Sequence, residues 1–362
     1  MKSKTMVLTR FNQPLEAKET EIPQLEPGQM LVKIAAAGVC GSDVHMWRGE
    51  DPRTPLPIIL GHEGVGTIVE MKGSRTTVLG EQVAVGDLIL WNRGVTCGQC
   101  YYCTELNEPW LCQNRQVYGI NKPAAIAPYL NGCYSEYIVL TGHTDLFKLD
   151  KAIDPAIMVS ASCSGATVAH AFDTHSPKYG DTVLVQGPGP LGLYATAFAK
   201  NKGATQIIVI GGSANRLEMC REFGATHILN RRTTSLEERQ EVIMNLTQGR
   251  GVDMAVEAVG DPSAVHEGLK LVRSGGAYLS VGFSQPPGLS NVDFFLEVVR
   301  KNLKIQGIWV SSTRHTYQAM KLVENNRELF ARMITHRYSL DQADAALAAM
   351  ASHEALKAVL IP

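Results

Sequence analysis

Four cysteines, Cys97, Cys100, Cys103 and Cys112, lie close together with two, two and eight residues between them. Thiolates at that density match the four-sulfur tetrahedral shell of Zn²⁺, which holds a loop together and leaves no position for a reacting molecule. Gly98, Gln99 and Tyr102 between them follow no apolar strand or helix period, which argues against a set of reduced core cysteines. Chemistry must then lie elsewhere. A second set is scattered: Cys40 in Gly38-Val39-Cys40-Gly41-Ser42-Asp43-Val44-His45, His62 in Gly61-His62-Glu63-Gly64, and Cys163. Each alone reads as a core residue. Jointly, with glycines around Cys40 and His62 that packing alone does not demand, they describe three ligands and an open fourth position, the pattern of a catalytic zinc. Asp43 and Glu63 stand beside them as partners able to orient or exchange with a ligand.

A third element is Gly187-Pro188-Gly189-Pro190-Leu191-Gly192, which follows an apolar run and opens a helical stretch over residues 191–200. In that setting the glycines permit a tight turn and close backbone approach, and the helix N-terminus faces a pyrophosphate. The acid expected about twenty residues on, where it would hold a ribose 2'-hydroxyl, is missing. Gly211-Gly212-Ser213-Ala214-Asn215-Arg216 stand there instead. An acid would repel a 2'-phosphate, so its absence permits NADP as well as NAD, and Ser213, Asn215 and Arg216 offer donors to such a phosphate.

These groups need a scaffold, and 362 residues suggest two domains. From Thr182 onward, apolar runs alternate with helical stretches, as in a doubly wound parallel sheet. The runs are Val183-Leu184-Val185, residues 207–210, 227–229, 252–256 and 278–281, and Gly203 and Gly224 each close a helix before the next run. Residues before about Ser164 are β-rich and irregular, with strand-like pieces at 30–35 and 66–69. A helix at 340–350 and a strand at 356–360 are expected to pack back on that first half. Hydrophobic residues at 45%, charged residues at 19% and a net charge of −1 describe an ordinary globular chain with no electrostatic appeal to nucleic acid or an anionic membrane. The first fifteen residues hold no apolar signal core, and residues 155–172 are too polar to span a bilayer, so a cytoplasmic protein with small-molecule ligands is expected.

An open-site zinc set, a closed four-cysteine lobe and a dinucleotide turn, in this order, resemble the medium-chain zinc-dependent alcohol dehydrogenase family over essentially the whole chain. The resemblance implies an α/β protein with a GroES-like β-rich catalytic domain, residues 1–164 and 310–362, and an inserted Rossmann domain, residues 165–309. It implies two zinc ions per chain, NAD or NADP, and a homodimer or homotetramer. By that likeness Cys40, His62 and Cys163 hold the catalytic zinc, Glu63 is able to approach it, and Asp43 orients His62. Ser42 would pass on the substrate proton, His45 would relay it to solvent, and Thr167 would pack against the nicotinamide. Trp47, Trp91, Asn92, Arg93, Tyr118, Phe283 and Trp309 fall where the family's substrate cleft is built. The Cys103–Cys112 gap is one residue longer than the family's usual spacing. Asn92 and Arg93 replace the apolar wall that a simple aliphatic alcohol would want, so a polyol, cyclitol or anionic secondary alcohol is expected. The competing expectations are a dehydrogenase of simple aliphatic alcohols and a zinc- and dinucleotide-binding regulator without turnover.

Overall fold

In the computed structural model, which describes residues 1–362, every apolar run named above from Thr182 onward becomes a parallel strand. The spatial order is His227–Asn230, Gln206–Gly211, Thr182–Gln186, Val252–Glu257, Val272–Ser280 and Lys304–Gly307, the doubly wound order in which the chain reverses beside its first strand. Val183 lies opposite Ile207 on one side and Met254 on the other, and the whole of Thr182–Gln186 is buried. That double burial is why the strand reads as a continuous apolar run. Gly224 closes the helix Ala214–Phe223 in the left-handed conformation at φ 119°. The sixth strand, Lys304–Gly307, is exposed along its length and carries no apolar run.

Thr167–Val310 form one compact unit, and Met1–Ala166 with Ser311–Pro362 form a second. The main sheet of this second unit runs Leu146–Lys148, Leu88–Trp91, Glu63–Met71, Met30–Val39, Ala358–Ile361 and His336–Ser339, and Tyr137–Leu140 pairs with the early part of Met30–Val39. Met30, Val32, Ile34, Ala37 and Val39 lie in its core, together with Ala346 and Leu347 of the helix Ala343–Ala351. Three strand ends meet at one place. Antiparallel pairing sets Gly38 opposite Glu63, so Cys40, just after one strand, and His62, just before the next, become neighbours. Pairing of Ala358 with Val39 brings Lys357 to the same end. No helix is long and apolar enough to cross a membrane.

Candidate active site and metal centres

Cys40 caps the helix Gly41–Arg48, and its backbone N–H donates to Asp43 Oδ2 at 2.8 Å. The other Asp43 oxygen lies 3.2 Å from His62 Nδ1, with both side chains fully buried. One carboxylate thus ends a helix and fixes an imidazole so that Nε2 faces the cysteines. Cys163 follows the 3₁₀ turn Val159–Ser162, and its sulfur stands 3.3 Å from His62 Nε2 and 3.9 Å from Cys40 Sγ. The ligand atoms of Cys40, His62, Glu63 and Cys163 all fall within 4.8 Å of one another. In the four-cysteine lobe, Cys97 and Cys112 sulfurs are 3.5 Å apart and those of Cys100 and Cys103 are 3.6 Å apart. None of the eight cysteines is in a disulfide. Two sulfurs on one tetrahedral Zn²⁺ would stand about 3.8 Å apart, so both clusters fit that ion. Between Cys103 and Cys112 the chain passes through Asn107 at φ 55° and the turn Pro109–Leu111, and the four sulfurs converge.

The titratable groups of the first cluster are strongly coupled to one another and to their burial. The hydrogen bond between the two thiols, working against burial, holds Cys40 well below the usual thiol value, and the same bond together with burial pushes Cys163 well above it. Burial opposes the charge of His62, but Asp43 and Cys40 outweigh it and raise the imidazole to about 9. Glu63 is ion-paired with Lys357, and both are out of contact with solvent. Burial raises the Glu63 carboxyl and Lys357 acts against that rise; burial lowers Lys357, and Glu63 and Cys40 more than restore it. Lys357 Nζ also donates to Val39 O at 3.1 Å.

Two of the glycines near these residues have a packing cause after all, whereas a Cβ on Gly41 would meet nothing. A Cβ on Gly38 would lie 2.1 Å from Glu63 Oε2, and one on Gly64 would lie 2.3 Å from the Trp91 ring. Ser42 Oγ sits 3.9 Å from Cys40 Sγ, and His45, half-buried, meets Glu50 through Nδ1 at 2.5 Å. Arg93, expected on the substrate wall, donates from Nη1 to Cys163 Sγ at 3.0 Å.

The other residues expected around the substrate take different places. Asn92 is buried with its amide committed, accepting from Gly94 N at 3.1 Å and donating to Thr313 Oγ1 at 2.9 Å. Tyr118 lies in the core, its hydroxyl 2.7 Å from Thr144 Oγ1 and accepting from Thr141 N. Trp91 is buried in its strand, and Trp47 packs on the same core while its indole donates to Gln13 O. Phe283 and Trp309 belong to the dinucleotide unit, where Phe283 is half-buried and Trp309 exposed.

In that unit the turn after Thr182–Gln186 meets the steric demands of a phosphate cradle. Gly187 has φ +102°, and a Cβ on Gly192 would lie 1.7 Å from Gly187 O, whereas one on Gly189 would meet nothing. The helix Pro190–Asn201 starts at Gly189 without a side-chain cap, so the amides of its first turn, Leu191 and Gly192 among them, remain for an anion. Gly211 explains the missing acid: a Cβ there would lie 2.5 Å from the Pro188 ring, so the neighbouring turn demands glycine. Ser213 caps the next helix, which carries Asn215 and a half-buried Arg216 in its first turn. Sequence reasoning missed Arg231 and Arg232, whose side chains approach the place of a Gly212 Cβ to within 3.8 and 3.3 Å. It also missed Lys357, for which the available signal was a lone lysine inside the apolar segment Ala355–Ile361, and Glu257, fully buried at a strand end. The Glu257 carboxylate accepts from the backbone N–H of Val259 and Gly260, both at 2.6 Å.

Residues 26–151 match the alcohol dehydrogenase GroES-like domain, and residues 190–325 match the zinc-binding dehydrogenase domain. The chain is 34% identical over 352 residues to the 5-exo-hydroxycamphor dehydrogenase of Pseudomonas putida, covering 96% of this chain and 95% of that one. It resembles the crystal structure of an alcohol dehydrogenase of Thermotoga maritima with a TM-score of 0.97, 49% identity and full coverage of both chains. A protein described as a zinc-binding dehydrogenase of Sinorhizobium meliloti 1021, bound to NADP, aligns over the full length of both chains at 26% identity with a TM-score of 0.88.

Proposed function

We propose a substrate class and a cofactor preference for a chain that belongs to the medium-chain zinc-dependent alcohol dehydrogenase family: reversible oxidation of a polar secondary alcohol, with NADP⁺ the favoured hydride acceptor. The observation that carries the substrate reading is Arg93, a buried guanidinium hydrogen-bonded to the ligand-set residue Cys163. An unbranched aliphatic alcohol would leave its remaining donors unsatisfied beside the reaction.

Zinc, held by Cys40, His62 and Cys163, supplies Lewis acidity toward the substrate oxygen when bound, and the nicotinamide supplies a hydride acceptor. The chain does the rest. Asp43 keeps His62 in the orientation that presents Nε2. Ser42 receives the substrate hydroxyl proton at Oγ, and His45, held by Glu50, carries it toward solvent. Lys357 holds Glu63 beside the ligand set. Thr167 would pack against the nicotinamide when the cofactor is bound. Ser213, Asn215, Arg216, Arg231 and Arg232 favour a 2'-phosphate through charge-assisted hydrogen bonds.

A panel of polyols, cyclitols, hydroxy acids and aliphatic alcohols, followed at 340 nm with each cofactor and with zinc content measured on the same sample, tests the reading. Higher kcat/KM for the polar alcohols with NADP⁺ is expected. Preference for ethanol or butanol would sink it, and silence from every alcohol in the zinc-loaded protein would remove the turnover itself.

A further inference from the structure

We propose that Arg93 and Arg115 form an anion-recognition site at the catalytic centre, so that the alcohol oxidised carries a carboxylate or phosphate within a few bonds of its carbinol carbon. This rests on the polar-alcohol reading above and narrows it.

Arg93 is 6% exposed. One of its nitrogens is spent on Cys163, and its Nε is buried with no hydrogen-bond partner. Arg115 lies against the next residue: a Cβ on Gly94 would come within 2.3 to 2.6 Å of Arg115 Nη2, Nε and Cζ, which is why position 94 holds glycine. Arg115 Nη2 donates to Ser311 O at 3.2 Å, and its Nε is also buried and unpartnered. Neither guanidinium has a carboxylate partner. The contrast is Arg53, whose fork closes on Asp51 through Nε to Oδ1 at 2.9 Å and Nη2 to Oδ2 at 2.5 Å. Burial first, then Arg93 and Arg53, oppose the Arg115 charge and bring it down to about 9, still a cation at neutral pH.

Two neighbouring cations, one buried and one half-buried, each with an unfilled Nε donor and no carboxylate partner, form an arrangement that a small anion completes. Carboxylate and phosphate present paired oxygens to such planar forks, and a neutral hydroxyl leaves the repulsion in place. Because Arg93 is one hydrogen bond from a residue of the ligand set, the anionic group must sit close to the reacting carbon. An ammonium beside that carbon is disfavoured by the same charges.

The test uses the zinc-loaded protein and matched pairs: 2- and 3-hydroxy acids against their amides, and glycerol phosphates against glycerol. The acid or phosphate member should exceed its neutral partner in kcat/KM by about 30-fold or more, and the better of the two anion series identifies the group. Arg93→Gln and Arg115→Gln should each narrow that ratio by about tenfold or more, with Arg93→Lys intermediate. Protection against thermal unfolding by the acid, and none by the amide, gives a readout that needs neither turnover nor a variant. Equal kcat/KM for both members of every pair, or variants that slow both equally as a purely ligand-shielding arginine would, overturns the anion site and leaves the polar-alcohol reading standing. Absence of turnover with every alcohol, charged or neutral, defeats both.

Discussion

Replacing Lys357 by methionine should be among the most damaging single changes outside the ligand set. Lys357 is 1% exposed and Glu63 is fully buried, so methionine would leave a carboxylate without a counterion in the interior. Breaking a buried ion pair from one side costs about 3 to 5 kcal/mol, and the donor to Val39 O is lost as well. In a unit of roughly 220 residues, where 1 kcal/mol moves the midpoint by about 2 to 4 °C, the melting temperature should fall by about 6 to 20 °C. The assay is calorimetric melting of wild type, Lys357→Met, Glu63→Gln and the double variant, at equal zinc content so that occupancy does not set the midpoint. Glu63→Gln neutralises the stranded charge, so the double variant should recover more than half of the loss, with a coupling of about 2 kcal/mol or more. A Lys357→Met midpoint within about 2 °C of wild type, corresponding to roughly 1 kcal/mol or less, or strict additivity in the double variant, would refute the ion pair as a structural necessity.

Three further outcomes are expected. Cys40→Ser should abolish turnover and leave a folded protein with one zinc per chain, while Cys100→Ser should lose the other ion and chiefly lower the melting temperature; elemental analysis beside melting curves distinguishes them. Gly192→Ala should destabilise the metal-loaded protein before any cofactor is added, because its Cβ meets Gly187 O. Gly189→Ala should leave melting unchanged and weaken dinucleotide binding, read by fluorescence titration; the reverse pattern would contradict the cradle. Arg216→Ala and Arg232→Ala should each weaken NADP⁺ by about tenfold more than NAD⁺, and equal weakening of the two would take these arginines away from the 2'-phosphate.

The parts of this protein that can be read along the chain are those whose cause is local. The four-cysteine lobe is complete within sixteen consecutive residues, and the buried strands of the dinucleotide unit announce themselves as apolar runs because both faces are covered. Lys304–Gly307 escapes for the opposite reason: an exposed edge strand needs no apolar residue. Asn92 and Tyr118 show that polarity tells nothing of direction. Both have hydrogen-bond partners within the protein, whereas Arg93 beside Asn92 reaches the ligand set. Gly38 and Gly64 invite a functional reading in sequence and acquire a steric one only when Glu63 and Trp91 are in place. The approach of Lys357 and Arg115 to the site depends on pairings between distant segments, which no periodicity encodes.

The hydrogen bond from Lys357 to Val39 joins residues 318 positions apart. At about 5 to 20 residues per second on the ribosome, the strand Met30–Val39 waits of the order of 15 to 60 s for its neighbour Ala358–Ile361. All of residues 167–310 is made in that interval, and its six-stranded sheet draws on no residue outside that span. The inserted unit is therefore free to fold while the other half still has an open sheet edge and an unneutralised Glu63. Cys40, His62 and Cys163 are all synthesised before the insertion is complete, yet the lysine that balances their acidic neighbour arrives last. The inserted sheet closes on its own residues, whereas the other unit's main sheet takes strands from both sides of the insertion.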